Sequence, residues 1–164
     1  MGIEIERKFL VRDDSWRDVV ESETGIVQGY LIADTQLTLR VRQSGERAFL
    51  TLKGATMGIS RAEFEYPIPA ADAATLLREL ALPGLIEKTR YQVRCGEQLW
   101  DLDVFGGNNQ GLVLAEIELA TEDSHFEMPG WVGTEVSDDP RYYNANLARH
   151  PFREWSRPLE TVTG

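Results

Sequence analysis

The chain has 164 residues, of which 42% are hydrophobic and 27% charged, and its formal net charge is −10. This length and composition are typical of one globular domain with a substantial buried core. The negative charge argues against non-specific nucleic-acid binding, which needs a positive surface. It does not exclude an anionic small ligand, because a cleft can be locally positive.

Alternating polar and apolar residues predict eight strands, at residues 3–11, 27–32, 35–43, 47–53, 62–68, 85–94, 98–104 and 112–119. The short glycine-containing links 44–46 and 95–97 are typical of antiparallel hairpins. Helices are expected at 13–21, 70–82 and 141–149. We therefore expect a mainly β (α+β) fold whose single antiparallel sheet is curled or closed on itself.

This fold is expected to occupy residues 1–150 as a single domain, followed by a C-terminal tail at 151–164.

No run approaches the roughly 20 apolar residues of a membrane span, and charged residues stand where a signal peptide would be apolar. Cys95 is the single cysteine, so no intramolecular disulfide is possible. We expect a cytoplasmic protein without a membrane partner. The sequence leaves its oligomeric state open.

Charged residues recur two positions apart along the predicted strands, and they are sorted by sign. The acidic runs are Glu4/Glu6, Glu63/Glu65, Asp101/Asp103 and Glu116/Glu118. The basic positions are Lys8, Arg40/Arg42, Lys53 and Lys88/Arg90. Residues i and i+2 of a strand point to the same face, so each run places like charges side by side. Two like charges about 5 Å apart repel by roughly 1 kcal/mol in water, and by more in a protein.

Two arrangements are compatible with this pattern. One is a flat sheet whose charged face is solvated and salt-bridged, which is the usual explanation for any single pair. The other is a barrel with a charged lumen and an apolar exterior covered by helices. The repetition of the sorted runs favours a site, in which a divalent cation bridges the acids and a polyanion bridges the bases.

The side chains limit the chemistry of such a site. Oxygen donors without a cluster of His or Cys favour Mg²⁺ or Mn²⁺ over zinc. Lysines and arginines suit phosphate oxygens, and together these groups indicate phosphoryl transfer. Tyr30 shares a face with Gln28 and either binds a phosphate or is simply packed. Arg61 is a candidate partner of Glu63, and Arg94 a candidate for the mouth of the site.

The N-terminal Glu4-x-Glu6-x-Lys8 resembles the ExExK signature of the CYTH family, the triphosphate tunnel metalloenzymes. The resemblance continues, in the family's order, over essentially the whole chain, through Gly29-Tyr30, Arg40-Val41-Arg42, Thr51-Leu52-Lys53, Arg61-Ala62-Glu63-Phe64-Glu65, Lys88-Thr89-Arg90, Asp103-Val104-Phe105, Gly111 to Glu118, and Val136 to Leu147.

This resemblance implies an eight-stranded antiparallel closed β-barrel, a tunnel with a charged lumen and a few outer helices. It implies that the substrate triphosphate binds to Lys8, Arg40, Arg42, Lys53, Lys88 and Arg90. The implied metal ligands are Glu4, Glu6, Asp103, Glu116 and Glu118, with Glu63 and Glu65 as supporting acids. The catalytic residues expected on the same basis are Lys88, Arg90, Glu116, Glu118 and Tyr30.

The function that the resemblance implies is metal-dependent hydrolysis of inorganic triphosphate to pyrophosphate and phosphate, with Mg²⁺ or Mn²⁺ as cofactor. The expected partner is a small triphosphate, not a nucleic acid. Among enzymes, the alternatives are a class IV-type adenylyl cyclase and a thiamine or nucleoside triphosphatase. The alternative from another class is a polyphosphate- or nucleotide-binding module without turnover.

Overall fold

The structure, a computed structural model, describes residues 2–155. Its nine strands are β1 (Gly2–Val11), β2 (Val20–Ala33), β3 (Leu37–Ser44), β4 (Arg47–Gly54), β5 (Ser60–Ile68), β6 (Ile86–Cys95), β7 (Gln98–Phe105), β8 (Val113–Glu118) and β9 (Val132–Glu135). The expected domain of residues 1–150 stays a prediction, and positions 156–164 of the expected tail lie outside the described residues.

The strands form an antiparallel sheet in the order β5-β4-β3-β2-β6-β7-β8-β1-β9, and an additional β5–β1 pairing closes eight of them into a barrel. The strand β1 makes this closure possible because it changes partner along its length. Its first half pairs with β5, from Gly2 opposite Glu63 to Ile5 opposite Ser60. Its second half pairs with β8, starting with Glu6 opposite Glu118. The expected eight-stranded closed barrel is confirmed, with β9 as an extra strand.

The helices are shorter than their sequence patterns predicted. The α-helices are α1 (Ala70–Glu79) and α2 (Asn144–Arg149), residues 152–155 are also helical, and three 3₁₀ helices span Ser15–Val19, Gly107–Asn109 and Pro140–Tyr142. The helix expected at 13–21 is replaced by a single 3₁₀ segment because the chain joins the sheet at Val20, opposite Val93 of β6. None of the helices among residues 2–155 is long and apolar enough to cross a bilayer.

The apolar cores lie mostly outside the barrel wall. Trp100 on β7 contacts the rings of Phe9, Phe126 and Trp131, with centroids 5.5–5.7 Å apart, so the segment between β8 and β9 covers this side. The helix α1 covers the outer face of β3 and β4 through Ala73. The expected covering of the exterior is therefore partial, since the solvent-facing aromatic ring of Phe64 on β5 remains 49% exposed.

An apolar cluster fills one end of the barrel from inside. Ile86, Phe105 and Leu114 share the lumen-facing alternation of the charged residues on β6, β7 and β8 and pack against Leu147 of α2. Because these side chains are buried, the charged part of the lumen ends at this cluster. The flat, solvated sheet is thereby excluded: the sorted charges face into a closed barrel.

Candidate active site

The lumen of the barrel contains a cavity of about 620 Å³ lined by charged side chains from most of its strands. The site residues expected from the sequence that line it are Glu4, Glu6, Lys8, Tyr30, Arg40, Arg42, Lys53, Glu63, Glu65, Arg90, Glu116 and Glu118. Strand alternation explains this convergence, since each run of residues i and i+2 faces inward once the barrel closes.

Lysines and carboxylates from different strands pair across the lumen. The Nζ of Lys53 lies 3.0 Å from Glu4 Oε1 and 3.5 Å from Glu63 Oε2. Burial opposes ionisation of Glu4, but the charge of Lys53 lowers the pKa of its carboxyl on balance. The Nζ of Lys8 lies 3.7 Å from Glu116 Oε2. These pairs place opposite charges next to each other across the lumen, which offsets part of the cost of their burial.

Lys88 and Asp103 lie behind the cavity wall, next to Arg90, and do not themselves line the cavity. Lys88 Nζ is 2.8 Å from Asp103 Oδ2, with side-chain exposures of 0% and 3%. Burial lowers the pKa of Lys88 to about 7, assisted by the charges of Arg90 and Arg42 and opposed by Asp103. Burial acts to raise the pKa of Asp103, but Lys88 and Arg90 lower it to about 2.

Glu6 and Glu116 form a close pair of carboxyl groups. Burial and the neighbouring charges of Glu116 and Glu4 raise the pKa of Glu6 well above its usual range, and its side chain hydrogen-bonds Glu116. Burial opposes ionisation of Glu116, but Lys8, this hydrogen bond and Arg90 hold its pKa well below the usual range. Glu6 is therefore the more readily protonated member of the pair, since two neighbouring carboxyl groups do not both ionise readily.

These carboxylates fit a divalent cation by their chemistry. They offer only oxygen ligands, and a cation between Glu6 and Glu116 would relieve the repulsion that raises the pKa of Glu6. Among residues 2–155, no three acidic, imidazole or thiol groups converge as a metal site in this arrangement. Glu4, Glu116 and Asp103 are instead paired with lysines and arginines, so metal binding to these three requires them to exchange partners.

The arginines of β3 form the basic side of the cavity. Arg40 Nη2 donates to Thr51 Oγ1 at 3.3 Å and lies 3.6 Å from Glu65 Oε2. Its buried Nε has no hydrogen-bond partner in the structure. A buried donor without a partner is costly, and an anion in the cavity would relieve that cost. The basic side therefore fits an oxyanion such as a phosphate.

The segment after β9 contributes contacts that the sequence pattern did not indicate. Lys8 Nζ donates to the carbonyl oxygen of Tyr142 at 3.0 Å, and Lys88 Nζ donates to Asn144 Oδ1 at 3.2 Å. Tyr143 and Asn144 also line the cavity. Tyr142 ends a 3₁₀ helix and Asn144 begins α2, so strand alternation could not mark them, and the resemblance over Val136 to Leu147 assigned them no role. Asp101 also lines the cavity, and its alternation with Asp103 was a usable signal.

Two arginines considered from the sequence have other partners. Arg61 lines the cavity but donates to the carbonyl oxygen of Gly54 at 2.9 and 3.1 Å, and no ion pair joins it to Glu63 within the described part of the chain. Arg94 pairs with Glu21 through Nε and Oε2 at 2.8 Å and does not line the cavity. The position of Arg94 is explained by a surface ion pair between β2 and β6.

Comparison with known proteins shows a family relationship. The family model of the CYTH domain matches residues 2–144. An inorganic triphosphatase from Acetivibrio thermocellus is 42% identical over 157 residues, covering 94% of this chain and 99% of that protein. An inorganic triphosphatase from Nitrosomonas europaea is 41% identical over 150 residues, covering 88% and 96%.

Among solved structures, the crystal structure of the inorganic triphosphatase NE1496 has a TM-score of 0.63 and 37% identity, covering 88% of this chain and 93% of that chain. The chain therefore belongs to the CYTH family, and the resemblance of its motifs is confirmed. Membership among the triphosphate tunnel metalloenzymes implies a divalent metal.

Proposed function

We propose that this member of the CYTH family is a triphosphatase that hydrolyses inorganic triphosphate to pyrophosphate and phosphate. The observation that carries the proposal is a cavity inside the barrel in which a set of lysines and arginines meets a set of carboxylates. A polyanion and a cation together neutralise such a lumen, whereas either alone leaves one set unpaired. The two relatives named inorganic triphosphatase support the assignment.

The cations of the lumen bind the triphosphate oxygens in this proposal. Arg40, Arg42 and Arg90 suit bidentate contacts through their guanidinium forks. Lys8, Lys53 and Lys88 add charge at fixed positions. Among residues 2–155, the aromatic side chains that line the cavity are Tyr30 and Tyr143. This set offers little stacking surface for a base, which favours an inorganic substrate over a nucleotide.

The residues that would hold a divalent metal are Glu4, Glu6, Glu116 and Glu118, which line the cavity, and Asp103, which would have to leave Lys88 and Arg90 to take part. Their oxygen-only chemistry suits Mg²⁺ or Mn²⁺. When bound, the metal supplies charge neutralisation for the phosphates and lowers the pKa of a bound water. Glu63 and Glu65 support the set by balancing Lys53 and Arg40.

The chemical step is attack of water on a terminal phosphorus. A P–O bond forms to the water oxygen while the terminal phosphoanhydride P–O bond breaks, which releases phosphate and pyrophosphate. Glu118 is the carboxylate proposed to accept the proton of the water; without a metal, burial and the charges of Glu4 and Asp101 raise its pKa. Arg90 and Lys88 stabilise the negative charge that develops on the phosphoryl oxygens, and Tyr30 orients a phosphate through its hydroxyl.

The proposal is tested by incubating the purified protein with tripolyphosphate and Mg²⁺ or Mn²⁺ and measuring phosphate and pyrophosphate. Equal release of both is expected, with loss of activity in EDTA. Binding of tripolyphosphate without turnover across metals and pH would contradict the proposal and indicate a binding module. Parallel incubations with ATP and thiamine triphosphate separate the other enzyme classes, since a cyclase would form cyclic AMP and pyrophosphate.

A cytoplasmic location is part of the proposal. It is supported by the absence of any disulfide partner for Cys95 in the sequence. Fractionation of cells that express the protein tests this location, and recovery outside the cytoplasmic fraction would contradict it.

A further inference from the structure

Arg42 differs from its neighbouring lumen cations in how its charge is balanced. The other lysines and arginines proposed to bind the triphosphate each pair with a carboxylate: Lys8 with Glu116, Arg40 with Glu65, Lys53 with Glu4, and Lys88 and Arg90 with Asp103. No ion pair joins Arg42 to a carboxylate anywhere in residues 2–155. Its guanidinium is therefore positive and enclosed without a fixed counter-charge.

The partner of Arg42 is a neutral amide. Gln28 lies directly opposite Arg42 in the β2–β3 register, and its side-chain Oε1 accepts a hydrogen bond from Arg42 Nε at 2.7 Å. The other end of the same amide, Nε2, donates to the hydroxyl of Tyr30 at 3.4 Å. Gln28 is fully buried, with 0% exposure. One side chain thus contacts both Arg42 and Tyr30.

The chemistry of an amide suits this position better than that of a carboxylate. An amide offers an acceptor and a donor, whereas an ionised carboxylate only accepts. A carboxylate at this position would neutralise Arg42 and compete with an incoming anion. Burial and the charges of Arg40 and Arg90 lower the pKa of Arg42 to about 9. Asp103 opposes this shift only in part and forms no ion pair with Arg42, so a bound oxyanion would supply the direct counter-charge that the guanidinium lacks.

We infer that Gln28 is a positioning residue for the substrate: it orients Arg42 and Tyr30 toward the cavity through a neutral amide, which leaves the charge of Arg42 available to a phosphate group. The inference rests on the proposed function for the identity of the substrate. It assigns Gln28 no contact with the reacting atoms. It predicts that charge at position 28, more than hydrogen bonding alone, controls affinity for the triphosphate.

The experiment compares Gln28→Glu, which has nearly the same shape and retains the acceptor for Arg42, with Gln28→Met, which removes both hydrogen bonds. Tripolyphosphate binding is measured by calorimetry in EDTA. We expect Gln28→Glu to weaken binding about tenfold or more, since one full charge is added beside Arg42. Gln28→Met should weaken it about threefold to tenfold through lost orientation. In metal-dependent assays KM should rise more than kcat falls.

Controls separate this role from a general effect of charge or of folding. Gln43→Glu adds the same charge next to Arg42 in sequence but on the opposite, outward face of β3, and should bind as the wild type does. In an Arg42→Ala background, Gln28→Glu should lose most of its effect because the two residues act as a unit. If Gln28→Glu fails to fold, Gln28→Met in the two backgrounds still tests whether Gln28 acts through Arg42: its effect on tripolyphosphate affinity should largely disappear in Arg42→Ala, and an undiminished effect there would overturn the positioning role.

Several results would overturn the inference. One is a Gln28→Glu protein that binds tripolyphosphate as tightly as the wild type while Gln28→Met does not, which is the behaviour of a purely structural acceptor. Others are unchanged binding in both variants, or effects that simply add to Arg42→Ala. A wild-type protein that binds tripolyphosphate but does not turn it over would refute the proposed hydrolysis and leave the role of Gln28 in binding testable.

Discussion

Arg90 and Asp103 face each other across β6 and β7 and are joined by two hydrogen bonds, Nε to Oδ1 at 2.8 Å and Nη2 to Oδ2 at 2.9 Å. The same carboxylate lies 2.8 Å from Lys88 Nζ, so one acid holds two cations. This arrangement keeps the basic end of the site in place when no anion is bound. A change at Asp103 should therefore affect both the stability of the ligand-free protein and its binding of tripolyphosphate.

Asp103→Asn should destabilise the ligand-free protein by about 3 kcal/mol, because it leaves two buried cations without their shared counter-charge. Tripolyphosphate should reduce this loss of stability, because its negative charge replaces that of the carboxylate. Urea unfolding in EDTA, with and without tripolyphosphate, measures both effects. Asp139→Asn is the matched control: it removes an exposed partner of Arg141, where a loss below about 1 kcal/mol is expected. Equal losses in both variants would contradict the prediction.

Glu116→Gln and Glu118→Gln should each reduce metal-dependent phosphate release about 100-fold or more, because each removes a proposed metal ligand or proton acceptor. Binding of tripolyphosphate in EDTA should persist, since the change removes negative charge from the cavity. The measurements are initial rates over a series of Mg²⁺ concentrations, followed by calorimetry. Glu87→Gln, on the exposed face of β6, serves as the control. Wild-type rates in either lumen variant would remove that residue from the proposed site.

The contribution of Lys88 to anion binding should depend on pH. The pKa of Lys88 is lowered to about 7, and an anion binds the protonated form. Lys88 is charged below pH 7. Above pH 7 its amine is mostly neutral and must take up a proton before it can pair with the anion, so the affinity for the anion falls by up to about tenfold per pH unit.

The Lys88→Met variant cannot titrate at this position, so it provides the reference for that pH dependence. The wild type should bind tripolyphosphate about tenfold or more tightly than Lys88→Met at pH 6, and the gap should narrow toward pH 8. Both affinities are measured by calorimetry, and their ratio at each pH is independent of the protonation of tripolyphosphate itself. Parallel affinity profiles would show that Lys88 does not titrate in this range.

Trp155→Ala should destabilise the protein by about 2 kcal/mol, because the indole packs on Tyr142 with ring centroids 5.1 Å apart. The carbonyl oxygen of Tyr142 accepts from Lys8 Nζ, so a weaker affinity for tripolyphosphate is expected as well. Thermal unfolding and calorimetry measure the two quantities. Trp155→Phe retains an aromatic ring and should lose less than half as much stability. An unchanged affinity in the alanine variant would show that Lys8 does not depend on this packing.

Strand alternation made much of the site predictable. Glu4, Glu6 and Lys8 share a face because the side-chain period of a strand is two, a local property that needs no tertiary information. The limits of the elements were less predictable. Residues 20–26 have few apolar side chains in alternation, yet they extend β2 because Val20 and its successors pair with β6. The extra strand β9 exists through its pairing with β1, a contact distant in sequence.

The sequence by itself determined which charged residues share a face, how their signs are sorted, and which family motifs they form, since these depend on local periodicity and residue identity. Only the tertiary structure decided that this face is the inside of a barrel, because the answer depends on the pairing of β1 with β5. It also decided the individual partners. That Arg42 is held by the neutral Gln28, while Arg90 is held by Asp103, follows from strand register and side-chain reach, and no local pattern encodes either.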